Sequence, residues 1–434
     1  RKAFGFDDRD PIVLVMGGAL GAQPINQRVQ AMLGGLLAEA QVIHQKSRWS
    51  VVGEPSEYHT FANHRAAWDA LAPLLRPEDL DCFASVVSDA LMSPPGDDRG
   101  DLALSQRIRH GLAYSLALLG NSDGRLAVSP SPAERAARIV STLLHGDATQ
   151  WQRLSDVIQL LAEASPEAFL AALHESLSPE RRSLAGLWND HPEAIKRVAH
   201  ALSVLALDVE LFERAVLALA ALVADGPAPK PNIRDSHPLQ VLEEIFSFQY
   251  PKTNAPIDDR LRALRLLAER YPAVGWSLLL SLLTQHMMVQ LNLPQPRVLR
   301  LTVPPRDRPA YPGEAYGQVQ AFLQLALKLA GKDPVRWADL VRHLDVRAIP
   351  EELVLEALDH LAAIADGLRD EPGLIWAALR VVLQGRSAAH GELFGREAQV
   401  RAETLALAAA LAGERIWIEK VRIETTPAHD RETI

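Results

Sequence analysis

From about residue 60 onward the chain repeats one pattern. Apolar residues recur at i, i+3, i+4 and i+7 in segments separated by short polar breaks. That spacing puts one apolar stripe on a helix, and the stripe must be buried against a neighbour. The stripes predict helices over 64–75, 78–92, 104–119, 132–145, 150–162, 166–177, 191–206 and 209–224. Others follow over 238–248, 258–270, 272–284, 315–330, 334–344, 350–366, 371–384 and 397–412. Start signals agree with the stripes. Ser131-Pro132 with Glu134, Ser165-Pro166, Ser178-Pro179 and Asp333-Pro334 each set a capping residue before a proline at the first helical position. Gly120, Gly146, Gly226, Gly331, Gly367 and Gly385 stand where helices should stop.

Helix pairs recur about every 35–40 residues, a period that suits stacked helical hairpins of the HEAT or tetratricopeptide sort. No tight consensus repeats, so an irregular all-α globule is the competing architecture. Two stretches interrupt the array. Residues 225–237 hold Pro227, Pro229 and Pro231, and read as an elbow. Residues 285–314 hold six prolines, from Pro294 to Pro312, with room for a short strand at 298–303. Arg297, Arg300, Arg306 and Arg308 make this loop locally basic: a surface for an acidic partner or nucleic acid, or a solvated connector.

The first 47 residues follow a different pattern. Ile12-Val-Leu-Val-Met16 is a continuous apolar run, as in a parallel strand buried on both faces. It leads into Gly17-Gly-Ala-Leu-Gly-Ala22, an amphipathic stretch from Gln23 to Ala38, and a second short run at Val42-Ile43. Strand, glycine turn, helix and strand make a β-α-β, Rossmann-like fragment. Glycines there let backbone N–H groups and a helix N-terminus approach a phosphate. The predicted fold class is therefore mostly α, an α-solenoid-like array of helical hairpins with a small N-terminal β-α-β fragment. The divisions are 1–47 for the fragment, 48–226 and 227–284 for the first two parts of the array, and 285–314 for the proline-rich loop. Residues 315–413 complete the array and 414–434 form a tail.

Composition narrows the function. Of 434 residues, 48% are hydrophobic and 6% aromatic, a helix former's balance. The net charge of −9 gives no global reason to bind nucleic acid or an anionic membrane. A single cysteine, Cys82, excludes an internal disulfide and any multi-cysteine zinc site, and its apolar neighbours make it a small buried hydrophobe. The most apolar stretch, Ala215–Ala224, is flanked by Glu213, Arg214 and Asp225, too short to span a membrane. The charged N-terminus lacks a signal-peptide core, so a cytoplasmic protein is expected.

No complete catalytic or metal set emerges. His174-Glu175 lacks the second histidine of His-Glu-x-x-His, and His59 and His64 do not align on a helix face. Gly331-Lys332 runs into Asp333, so it is no phosphate-binding loop, and no Gly-x-Ser-x-Gly is present. Asp258-Asp259 suit a helix start, where carboxylates meet the positive end of the dipole. Trp151, Trp188, Trp276, Trp337 and Trp376 fall mostly at core positions.

Two stretches resemble known families. Pro11 to Asn26, followed by Val42-Ile-His-Gln45, is similar to the start of the C-terminal domain of the MurG-type glycosyltransferases, which transfer N-acetylglucosamine to a lipid-linked peptidoglycan precursor. The resemblance implies that Gly17, Gly18, Gly21 and Ala22 line a nucleotide-sugar diphosphate site for UDP-N-acetylglucosamine. Ala19 stands where the family has serine, and Lys46-Ser47 where it has Ser/Thr-Gly; the likeness covers about a tenth of the chain. Leu161–Leu170, Ile245–Asn254, Arg260–Arg270 and Pro272–Trp276 resemble the helical region of large bacterial STAND-type defence NTPases, within residues 48–283. That likeness implies a region that senses a ligand or partner while other domains act. The leading reading is a non-catalytic helical scaffold with a protein partner and no cofactor. The rival is a truncated or degenerate MurG-like enzyme. The abrupt change after Gln45 leaves open whether residues 1–47 and the rest form one functional unit.

Overall fold

The computed structural model describes residues 12–14, 41–43, 51–52, 60–61, 64–93, 106–122, 126, 128–178, 180–181, 184–227, 237–248 and 250–284. It also describes 295–299, 312–344, 349–364, 374–375, 377–379 and 401–403. These residues are mostly helical. Among the described residues four short strands precede the described helices: β1 (Ile12–Leu14), β2 (Gln41–Ile43), β3 (Val51–Val52) and β4 (Thr60–Phe61). Strands β1 and β2 pair in parallel, Val13 opposite Val42, while β3 and β4 pair antiparallel. The predicted strand positions thus carry strands, but the glycine turn and helix expected between them lie outside the described residues.

The helices are α1 (His64–Leu71), α2 (Pro77–Met92), α3 (Gln106–Gly120), α4 (Pro132–Leu144), α5 (Ala148–Leu154), α6 (Ile158–Ala164), α7 (Pro166–Ser176) and α8 (Leu187–Asp190). Then come α9 (Pro192–Leu205), α10 (Phe212–Asp225), α11 (Pro238–Phe246), α12 (Ile257–Arg270), α13 (Pro272–Leu283), α14 (Pro312–Ala330), α15 (Pro334–His343) and α16 (Glu351–Ile364). The chain divides into two compact units. One holds residues 1–241, 253–255 and 293–305; the other holds 242–252, 256–292 and 306–434.

Local chemistry explains the helix starts. At α4 the Ser131 hydroxyl accepts the Glu134 N–H at 3.2 Å, and the Glu134 carboxylate accepts the Ser131 N–H at 2.8 Å. This reciprocal box satisfies two orphan donors of the first turn. Asp333 does the same for α15, accepting from Val335 and Arg336. Ser165 makes no side-chain cap, contrary to expectation; Pro179 lies outside the described residues, its described neighbours Ser178, Glu180 and Arg181 are not helical, and α8 is the next described helix. The single helix expected over 150–162 is two. Asp147 caps α5 by accepting from Gln150, and the chain leaves helical geometry at 155–157. The break is stabilised by Asp156, which turns to the buried side chain of Arg109.

In the first unit the helices pack in a regular order. Hairpin partners touch: α3 with α4, α6 with α7, and α9 with α10. Successive first helices also touch, α3 with α6 and α6 with α9, as do the second helices, α4 with α7 and α7 with α10. Polar links between neighbouring hairpins keep a steady sequence separation of 42 to 47 residues. They are Asn121 to the Glu163 carbonyl (42), Arg109 to Asp156 (47), Arg214 to Glu167 (47) and Thr253 to the Ala206 carbonyl (47). That is longer than the spacing of 35–40 read from the stripes, because short helices such as α5 and α8 sit between hairpins. Trp151 and Phe169 meet in this core at 6.1 Å between ring centroids.

In the second unit α12 packs on α13, α13 on α14, and α14 on α15 and α16. Gly275 lets α13 approach α12, since a Cβ there would lie 2.6 Å from Ala268 Cα. Gly331 takes φ +48 just past α14, the left-handed stop that glycine supplies most cheaply. Trp337 is fully buried, donates to the Gly331 carbonyl at 3.0 Å and stacks on His360. Trp151 and Trp276 are buried as expected, Trp188 is half-buried, and Trp376 lies outside the described residues. Cys82 is half-buried, where full burial was expected. No described helix is long and apolar enough to cross a membrane.

Candidate functional site

The densest polar cluster among the described residues joins α3, α6 and residues 295–299 in the first unit. Its centre is Glu163, fully buried in the last turn of α6. A carboxylate there faces the negative end of its own helix, which disfavours it twice, by burial and by the dipole. Three successive backbone N–H groups compensate. Arg297 donates to Glu163 Oε2 at 2.9 Å, Val298 at 2.6 Å and Leu299 at 2.9 Å. The Gln159 side-chain amide adds a bond to Oε1 at 2.8 Å and another to the Gln295 carbonyl at 3.1 Å. The arrangement has the logic of an anion nest, with the anion supplied by the protein.

Around this clip lie Tyr114, His110 and Arg65. The Tyr114 hydroxyl donates to the Arg297 carbonyl at 3.5 Å. Burial first, and the Glu163 charge second, hold that phenol above its usual pKa, so it stays a donor. The Arg297 guanidinium meets His110 Nε2 at 2.6 Å, a contact that requires a neutral ring accepting there. Burial and the Arg297 charge both depress the His110 pKa, outweighing Asp156.

A second buried charge adjoins the first. Arg109 is fully enclosed and donates to the carbonyls of Ala90, Leu91 and Ser93, and to that of Arg153. It thus caps the carbonyl ends of α2 and α5 at once, while Asp156 pairs with it at 3.3 Å. Asp79 and Asp208, also buried, accept the backbone N–H groups of Arg76 and Glu210.

The residues singled out by the glycine turn, Gly17, Gly18, Gly21 and Ala22, lie outside the described residues, as do His44, Gln45, Arg300, Arg306 and Arg308. Arg297 is described, and it belongs to the clip. Val298 and Leu299 form no strand. His174 is exposed, and Asp258 and Asp259 sit in the first turn of α12 as anticipated. No group of three or more potential metal ligands occurs among the described residues. Glu163 and Arg109 escaped the sequence reading. Their signal was a charge at a core-facing position: Arg109 shares a stripe with Leu112, Ala113 and Leu116, and Glu163 with Leu160.

Comparison with known proteins finds short matches. A segment is similar to UDP-N-acetylglucosamine--N-acetylmuramyl-(pentapeptide) pyrophosphoryl-undecaprenol N-acetylglucosamine transferases. The Bifidobacterium longum (strain DJO10A) protein is 40% identical over 67 residues, 15% of this chain and 16% of that protein. The Geobacillus kaustophilus (strain HTA426) protein is 48% identical over 44 residues, 10% of this chain and 12% of that protein. The chain therefore spans less than a fifth of the length of these relatives. Residues 337–426 match the family described as metallophosphoesterase YhaO, middle domain. Each match covers a minor part of the chain.

Proposed function

We propose that this chain is a non-catalytic helical-repeat scaffold or sensor region that binds a protein partner, as one part of a larger protein of the bacterial defence NTPase kind. One observation carries the reading: four of the five buried charged side chains among the described residues, Asp79, Arg109, Glu163 and Asp208, bond to main chain, so each of these secures architecture. The two runs of stacked helices, α3-α6-α9 and α4-α7-α10, support an α-solenoid arrangement. The match of residues 337–426 to the middle domain of a named multi-part protein supports the role of a module.

Photo-crosslinking in cells tests this. A benzoylphenylalanine at exposed Arg138 of α4 or His174 of α7 should trap one discrete protein, and one at Arg197 of α9 should not. Trapping nothing, or many proteins equally from all three sites, overturns the proposal.

The second reading is a truncated or degenerate MurG-like, UDP-N-acetylglucosamine-dependent transferase, favoured by the 40% identity over 67 residues and by Gly17, Gly18, Gly21 and Ala22. Saturable heat on titrating the chain with UDP-N-acetylglucosamine, abolished by Gly18→Val, would support it. No heat at millimolar ligand would sink it.

A further inference from the structure

We infer that the surface of α3 and α6 around Glu163 is a main-chain-reading peptide site, occupied in this protein by its own segment Gln295–Leu299, and that it accepts a similarly bent segment of a partner when that strap is displaced. This rests on the partner-binding scaffold role and names the class of partner.

The contacts have the character of peptide recognition. Of the polar contacts between this surface and the strap among the described residues, all but that of the Arg297 guanidinium go to main-chain atoms: the Gln295 carbonyl, the Arg297 N–H and carbonyl, and the Val298 and Leu299 N–H groups. Such contacts supply affinity without dictating sequence, and selectivity is left to one or two side chains. Here those are Val298, buried on the surface, and Arg297, held by His110. A fitting partner segment is therefore bent like the strap at Arg297 and Val298, turns three consecutive N–H groups to one side, and carries a small branched residue after a basic one.

The surface also demands an occupant. With the strap gone, Glu163 would lose its three main-chain donors and keep the Gln159 amide, at the end of a helix where a negative charge is disfavoured. The strap reaches it from 134 to 136 residues away in sequence, so it is a ligand joined by a long tether.

Competition between strap and peptide gives the test. In the full chain, residues 295–299 are replaced by five Gly and Ser residues, and folding is checked by circular dichroism. A fluorescein-labelled peptide covering residues 293–305 is then titrated by anisotropy. Saturable binding is expected to the replaced chain. Binding to the intact chain should be at least about tenfold weaker, because the strap, part of the same chain, competes intramolecularly. Glu163→Gln in the replaced chain should cost at least about tenfold, since an amide cannot accept three N–H groups as a carboxylate does.

No binding to the folded replaced chain at millimolar peptide overturns the inference, as does equal binding with Glu163→Gln or by the intact chain. If the replaced chain does not fold, hydrogen exchange on the intact chain decides. Excess unlabelled peptide should speed exchange at Val298 and Leu299 and leave α6 protected; unchanged rates overturn the inference. Failure here, with discrete crosslinks from α4 or α7, would remove the peptide site and leave the scaffold reading standing.

Discussion

Arg109→Met is the sharpest test of the claim that buried charge here is structural. Methionine keeps most of the aliphatic stem, so little packing is lost. What goes is the guanidinium's donors to three carbonyls after and within the last turn of α2 and to one in α5, and the ion pair with Asp156. Breaking a buried pair from one side typically costs about 3–5 kcal/mol, because the partner charge stays desolvated. Each uncapped carbonyl adds up to about 1–3 kcal/mol where water cannot reach it. Asp156 is 11% exposed and can relax toward water, which offsets part of this sum. The expected loss is therefore about 3–5 kcal/mol, or on the order of 10 °C in the first unit's melting temperature. Adding Asp156→Asn should recover part of it, since the orphan charge is then gone while the carbonyls remain uncapped. The assay is hydrogen exchange by mass spectrometry with a parallel urea titration, following peptides of α2, α3 and α5 against those of α12 and α13. A loss under about 1 kcal/mol, well below the range for a broken buried pair, would show that these charges are not structural. So would a double variant less stable than the single one.

Single contacts carry other expectations. Ser131→Ala removes one half of the capping box and should cost about 1 kcal/mol of stability in the first unit, measured by denaturant titration. Gly275→Ala forces α13 away from Ala268 and should cost roughly 1–3 kcal/mol in the second unit, seen as faster exchange in α12 and α13 alone. Burial and Arg297 hold His110 below its ordinary value near 6.5, and burial does the same for His237. The unfolded chain then binds these protons more readily. Stability should be full above about pH 6.5, fall as pH drops from there toward the folded-state values, and level off below them. Thermal melts across that range check the sign, and His110→Asn with His237→Asn should flatten the slope.

Much of the helical text was legible because its signals are local. Pro132, Pro166, Pro238, Pro272 and Pro334 each begin a helix, and the stripes ended within a few residues of the observed stops. The misreading at 150–162 has a distant cause. Asp156 leaves the helix for Arg109, a partner that periodicity cannot announce. The candidate site was illegible for the same reason: nothing near Glu163 in sequence points to Val298. Proline density marked 285–314 as unusual and arginine content marked it as basic. The three N–H groups that matter belong to the backbone, which sequence patterns do not distinguish.

The Glu163 clip also orders events in time. Links of 42 to 47 residues let each hairpin register on the one before as the chain leaves the ribosome. The clip has to wait for the backbone 134 residues later, roughly 10 s or more at ordinary rates of synthesis. During that interval the Glu163 carboxylate at the end of α6 lacks the three main-chain donors that hold it in the finished fold.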